Sequence, residues 1–272
     1  MTSEISWVGS EKEFVDEISV ETVGPIVLGR FGGNSSAGQH KNEDGCIAWT
    51  GGENGYEFVV LLDAHSSADS AELVVSEFGK RKEEIKETLR LSVNKSFREL
   101  GKRIVSFFQD EDFKKRCKEL QGETACLIAV RKENFLWWFS IGDCILYLHH
   151  PELAALYEYQ QNHRSFYEWV GKVNTFELPV PCYSTGCKEL RRGRNHILLT
   201  TDGLVECPGS VFEQPEKVFT AFRDAGNEEG VNKLLTIIKK KNVRDSTTIL
   251  SWQVENELDA SEPSDSVGRK DG

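Results

Sequence analysis

The sequence predicts a layered α+β fold in which strands and helices come in separate blocks. Apolar runs of β-like composition cluster ahead of residue 64 and return from about residue 124. Between Ser66 and Leu120 the apolar period changes to three and four residues, which is one face of a helix. Strands followed by helices followed by strands indicate stacked layers, not βαβ alternation.

Residues 1–22 are polar and mixed, and read as a weakly ordered lead-in or a short amphipathic element. Strand signals follow at GPIVLGRF, DGCIAW and YEFVVLLD. The intervening loop GGNSSAGQHKNED is too long and glycine-rich for a simple hairpin turn, so it is expected to carry function. Leu73, Phe78, Ile85 and Leu89 mark one long helix; Val93, Phe97, Leu100, Ile104 and Phe108 mark a second. TACLIAVR, NFLWWFSIG and CILYLHH are strands, with Gly142-Asp143 as a tight turn joining the last two. Trp137, Trp138 and Phe139 read as core on one face and helix packing or partner contact on the other. From about 151 to 194 no period holds, and the segment reads as an irregular flap. HILLTTDGL resumes the sheet, helices are expected at 213–224 and 228–240, and TTILSWQVE is the final strand. Residues 23–255 thus form one domain, followed by a polar, acidic tail over 256–272 that is expected to be disordered.

Composition narrows the function. The 272 residues are 39% hydrophobic, enough for a sizeable core, and carry a formal charge of −11. The one basic run, Lys239-Lys240-Lys241, follows LLTII and suits a helix C-terminus. Nucleic acid is excluded as a partner because phosphate neutralisation needs a basic face. No stretch approaches the roughly 20 apolar residues that span a bilayer, and the first residues lack a basic start followed by an apolar run. Seven irregularly spaced cysteines do not form a disulfide framework. Cys46, Cys126 and Cys144 read as buried thiols. Cys182 and Cys187, with His149, His150 and His163 near in sequence, are taken as loop residues in preference to a metal clip. A reducing, cytoplasmic setting and a monomer are expected.

The chemical signal is acidic. Asp63 follows FVVLL, Asp143 sits in WWFSIGDCILYL, Asp202 ends HILLTTD and Asp245 precedes STTILSW. Aspartate is depleted in strands by its charge and its competing backbone hydrogen bonds. Four aspartates at strand ends make sense if the ends converge and hard divalent cations such as Mg²⁺ or Mn²⁺ offset the charge. Each has a bland alternative, a turn at Asp202-Gly203 or a strand cap at Asp245, but the ordered set argues against coincidence.

Taken in order, HKNEDG, LLDAHSS, GETACLIA, SIGDCILYL, LLTTDGLVE and VRDSTTIL resemble the motifs of the metal-dependent type 2C serine/threonine protein phosphatases over about residues 24–254. The resemblance implies a four-layer α-β-β-α sandwich of two mainly antiparallel sheets flanked by helix pairs. It implies that Asp63 bridges two metal ions, that Ala64 offers a backbone carbonyl to the second, and that Asp202 and Asp245 complete the first. Asp143, with Asp202, would hold a third and weaker ion. Glu43 and Asp44 would hold metal-bound waters, Asp44 above all, and His65 would protonate the leaving oxygen. The implied chemistry is hydrolysis of a phosphoserine or phosphothreonine ester by a water or hydroxide bridging two Mg²⁺ or Mn²⁺ ions about 4 Å apart. A phosphorylated protein is the implied substrate and a bacterium the expected source.

Departures from the family pattern carry equal weight. The arginine expected three residues before Asn42-Glu43-Asp44, which grips the substrate phosphate, is Gln39, and glutamine lacks the charged bidentate fork. Lys41, His40 or Arg30 could supply a substitute charge. Ala64, Ser66 and Ser67 stand where glycines are usual, and Ser246 replaces an asparagine. Gln39 therefore keeps an alternative open, a pseudophosphatase that binds a phosphoprotein without turnover. A hydrolase of small phosphorylated metabolites is a further reading.

Overall fold

A computed structural model describes residues 3–52 and 55–261. The chain runs β1 (Glu4–Val8), β2 (Ile18–Val23), β3 (Ile26–Phe31), β4 (Gly45–Thr50), β5 (Tyr56–His65), then α1 (Asp69–Lys80), α2 (Lys82–Leu89), α3 (Val93–Phe108) and α4 (Glu111–Glu119). It continues through β6 (Glu123–Lys132), β7 (Phe135–Ile141), β8 (Ile145–His149), α5 (Pro151–Ala155), β9 (Val170–Gly171), β10 (Ser184–Glu189) and β11 (Gly193–Thr200). Helices α6 (Pro215–Thr220) and α7 (Asn227–Lys240) and strand β12 (Thr247–Asn256) complete it.

The strands form two antiparallel sheets, β1-β4-β5-β6-β7-β10 with β9 on β6, and β2-β3-β12-β11-β8. Three apolar clusters define four layers. Phe58, Val60 and Ile128 meet Phe78, Leu100, Ile104 and Phe108 between the first sheet and α1–α4. Leu61, Leu127, Leu199 and Trp252 fill the space between the sheets. Phe31, Leu198 and Ile249 meet Leu234, Leu235 and Ile238 of α7 outside the second sheet. Strands β5 and β6 are buried along nearly their whole length because helices cover one face and the other sheet covers the second. The α+β, four-layer expectation holds.

Several elements differ from the sequence reading. Within residues 3–22, where a weakly ordered lead-in or a short amphipathic element was expected, the chain forms strands: β1 pairs with β4 and β2 with β3, each at the edge of its sheet. One-sided burial leaves polar residues on the open face, which hides the strand pattern. The first helical stretch breaks at Arg81, and α4 adds a short helix, its N-terminus capped by Asp110 accepting from the Phe113 amide at 3.0 Å. Gly142-Asp143 does not close a hairpin. β7 belongs to the first sheet and β8 to the second, so this dipeptide carries the chain across the sandwich. Gly142 has φ +83°, and a Cβ there would lie 2.5 Å from that of Ala125, so glycine is required. Within 151–194 the segment is irregular only in part: Ser184–Glu189 is a regular edge strand on β7.

Trp137 stacks on Phe97 of α3 while Trp138 faces the inter-sheet core, so the aromatic run packs on both sides of its sheet. The lysine run ends α7, as the dipole favours. All seven cysteines are free, and burial pushes the Cys46 thiol up to about 12. No helix of the described residues is long and apolar enough to cross a membrane. Most of the expected disordered tail, from residue 262 on, lies outside the described residues; Ser261 still donates its amide to Glu189 Oε2 at 2.8 Å.

Candidate metal centre

The two sheets bring their acidic strand ends together at one edge of the sandwich. Asp63, near the end of β5, Asp143, in the β7–β8 crossing, and Asp202, in the turn after β11, place carboxylate oxygens within 4.8 Å of one another. Asp202 belongs also to a second group with Glu206 and Asp245, within the same distance. Asp202 is thus the shared vertex of two carboxylate triads. Its turn lies against the start of β12, where a Cβ on Gly203 would come within 2.2 Å of the Ser246 carbonyl, so only glycine permits the approach. The Asp202 amide donates to Asp63 Oδ2 at 3.3 Å, which orients that carboxylate.

The electrostatics demand a counter-charge. Asp63 and Asp202 are nearly fully buried. Burial pushes both well above the usual carboxylate range, and neighbouring aspartates add to it: Asp202 for Asp63, Asp245 for Asp202. Asp143 Oδ1 and Asp202 Oδ1 are buried without a hydrogen-bond partner. Carboxylates converging from three segments, two of them with an orphaned buried oxygen, are the donor set that hard divalent cations take, so the residues fit Mg²⁺ or Mn²⁺.

Asp44 is different. It is fully buried, but Thr248 Oγ1 at 2.7 Å, Ser246 Oγ at 3.1 Å and Thr201 Oγ1 at 3.3 Å all donate to it. Burial still raises it, to about 7. Ser246, standing where an asparagine is usual, is one of the hydroxyls that hold Asp44 in place.

No protein-family model and no curated protein matches the chain. Solved structures do. The serine/threonine phosphatase Stp1 from Staphylococcus aureus superposes with a TM-score of 0.61 at 12% identity, covering 88% of this chain and 94% of that one. A variant of a bacterial serine phosphatase gives 0.60 at 14% identity, covering 93% and 98%. RsbX in complex with magnesium gives 0.56 at 14% identity, covering 87% and 100%. The chain has the type 2C phosphatase fold. At these identities the likeness is one of fold, so the site must be argued on its own residues.

In this type 2C fold the substituted glycine positions follow simple rules. Ala64 is regular strand, paired with Thr124, and its methyl packs in the core, so alanine meets no backbone obstacle. Ser66 instead takes φ 74°, the left-handed region, and its carbonyl accepts from Lys41 Nζ at 2.8 Å. Holding a serine there costs about 1 kcal/mol. Ser66→Gly is therefore expected to raise stability by up to about 1 kcal/mol, offset in part by glycine's larger unfolded-state entropy. Urea denaturation at constant pH measures it, and a loss greater than about 1 kcal/mol would contradict the strain argument.

His65 ends β5 at the rim, with Nδ1 4.0 Å from Asp63 Oδ1. Glu43 is paired with Lys41 at 2.6 Å and lines, with Gln39, Lys41, Ser66, Glu206 and Asp245, a cavity of about 520 Å³ beside the triads. Gln39 is at this cavity, where one of its two amide N–H donors is given to the Lys41 carbonyl at 2.7 Å and helps to hold its own loop. Arg30 is not brought to the site. It is buried, paired with Glu21 at 2.9 Å, and stacked over Trp7 and Phe14, so it is withdrawn as a phosphate ligand. Cys187 lies on β10 rather than in a loop, and the metal-capable groups of the described residues do not include Cys182, Cys187, His149, His150 or His163.

Glu206 and the hydroxyls of Thr201 and Thr248 were not singled out from the sequence. Glu206 lies four residues after Asp202, and its amide bonds the Asp202 carbonyl at 2.9 Å, one helical turn on. That spacing is the signal that could have found it.

Proposed function

We propose that this protein is a Mg²⁺- or Mn²⁺-dependent phosphoserine/phosphothreonine protein phosphatase, acting in a bacterial cytoplasm as a monomer, with a catalytic domain that runs from β1 to β12 and so takes in the first strands that the sequence reading left outside it. The observation that carries the reading is the pair of carboxylate triads meeting at Asp202, with unpaired buried oxygens on Asp143 and Asp202. The phosphatase fold and the magnesium complex of RsbX support it.

Asp63, Asp202, Asp245, Asp143 and Glu206 would hold two cations and a third, weaker one, with the Ala64 carbonyl as a further ligand. The cations would lower the pKa of a water and neutralise charge on the phosphoryl oxygens. Asp44, fixed by three hydroxyls, would accept a hydrogen bond from a water and orient it. His65, at the exposed rim, would give a proton to the departing serine or threonine oxygen. No side chain needs to take up the phosphoryl group.

Hydrolysis of p-nitrophenyl phosphate and of a phosphothreonine peptide, with Mn²⁺ and with chelator, tests the reading. Turnover of the peptide that chelator removes is expected; no turnover with Mn²⁺ bound would sink it. A second reading, a phosphoprotein-binding pseudophosphatase, draws support from Gln39, whose amide donates to the Lys41 carbonyl.

Asp143→Ala is expected to be milder than the other aspartate substitutions, because Asp143 would serve only the third, weaker cation, shared with Asp202. Calorimetric titration with Mn²⁺ should lose a weak event and keep the tighter ones. Loss of the tightest event would reassign Asp143 to the principal pair.

A further inference from the structure

The cavity beside the triads is lined by a cationic side chain, Arg244, that nothing so far has used. Gln39, Lys41 and Arg244 line it together with Glu43, Glu206 and Asp245. Two of the three candidate donors are partly engaged, and neither brings a free charged fork. Gln39 donates to the Lys41 carbonyl, and Lys41 Nζ donates to Glu43 Oε1 at 2.6 Å and to the Ser66 carbonyl at 2.8 Å. Arg244 is exposed, and among the described residues its guanidinium has neither an ion pair nor a hydrogen bond.

The backbone beneath Arg244 is nonetheless well anchored to the loop that carries Gln39. The Asn34 amide donates to the Val243 carbonyl at 2.9 Å, Asn34 Nδ2 to the Lys239 carbonyl at 3.2 Å, and Ser36 Oγ to Asn242 Oδ1 at 2.6 Å. A Cβ on Gly33 would meet the Arg244 carbonyl at 2.0 Å and Gln39 Cγ at 2.8 Å, so the two loops interlock around that glycine. Position 244 therefore opens on the same cavity as position 39, from the opposite loop, and directly precedes Asp245.

We propose that Arg244 is the residue that grips the substrate phosphate, having taken the role that Gln39 cannot fill. This rests on the hydrolase reading for the ligand's identity, a phosphate monoester dianion, but the contact itself needs only the cavity. A guanidinium presents a planar charged fork to two phosphate oxygens, which neither a neutral amide nor a neutralised ammonium can do. It also supplies positive charge to a cavity otherwise lined by three carboxylates.

The test uses the full chain with Mn²⁺. Arg244→Ala should raise KM for a phosphothreonine peptide about tenfold or more, with kcat changed less, and should weaken inhibition by orthophosphate in the same proportion. Arg244→Lys should recover part of the loss, and Lys41→Ala should change either quantity less than Arg244→Ala does. Because residue 244 is exposed, unchanged melting temperatures are expected for both Arg244 variants. Orthophosphate binding by calorimetry separates the two claims. Binding that depends on Arg244 in a protein without turnover overturns the hydrolase reading and sustains the contact. Binding or KM insensitive to Arg244→Ala overturns the contact whatever the turnover.

Discussion

Asp63→Asn is expected to abolish phosphoester hydrolysis while leaving a folded protein that, without metal, is more stable than the wild type. Asp63 is buried at the meeting point of the two sheets, and burial first, then the charges of Asp202, Asp44, Asp245 and Asp143, push its carboxyl far above the usual range. A neutral amide removes one of those like charges but cannot bridge two cations. Loss of a cation-activated water should lower the rate by several orders of magnitude, since each roughly 1.4 kcal/mol of lost transition-state stabilisation is tenfold. Relief of repulsion should add on the order of 1–3 kcal/mol to the metal-free protein. Peptide turnover with Mn²⁺ and a thermal melt in chelator read the two effects separately. Near-normal turnover by the folded variant would refute the bridging role.

The second large effect is the pH dependence of stability in chelator. Asp44 is raised to about 7 and Asp202 to about 9, both chiefly by burial, and Asp63 is raised as well. For carboxylates with raised folded-state pKa values, the folded protein holds protons that the unfolded chain has released. Their contribution is fully present below about pH 4 and is lost as pH rises through the folded values. Buried His196, lowered to about 3, works the other way below its ordinary value near 6.5, so the net fall in metal-free stability should show between about pH 6.5 and 9, by a few kcal/mol. Glu77, buried among Lys80, Arg81 and Arg116, is held down at about 2 in spite of its desolvation. Its opposite contribution is lost only below about pH 4.5, so the two windows separate. Saturating Mn²⁺ should remove or reverse the fall, because cations displace those protons and bind more tightly as pH rises. Urea unfolding at a series of pH values measures both curves; metal-free stability that climbs from pH 7 to 8.5 would contradict the clustering argument.

The layered fold and four of the five triad carboxylates were legible because each left a local anomaly in the chain. An aspartate at the end of an apolar run conflicts with strand propensity, and Asp63, Asp143, Asp202 and Asp245 each show that conflict. Apolar period alone separated α1–α4 from the strands around them. Glu206 left no such mark. It becomes a partner of Asp202 only once the chain turns helically after β11, bringing residues four apart onto one side. The hydroxyls on Asp44 are similar, since Thr201 and Thr248 come from adjacent strands whose pairing no local pattern announces.

What the sequence by itself determined is which side chains are out of keeping with their surroundings, because burial periodicity and charge are properties of short stretches. What only the tertiary structure decided is where those side chains point and what they meet. Gly142-Asp143 has the composition of a hairpin turn, yet the next strand joins the other sheet, a choice made by pairing with β11 across the sandwich. Strands β1 and β2 form because β4 and β3 offer open edges, and a strand buried on one face only is written faintly in its own residues. Arg30 and Arg244 are the same residue type, yet the sequence reading named only Arg30 and passed over Arg244, which directly precedes Asp245. Arg30 lies in a strand whose packing sends it onto Trp7 and Phe14, whereas Arg244 lies on a loop tied beside the cavity. Charge is carried by the residue, but its direction is set by the packing of segments far apart in the chain.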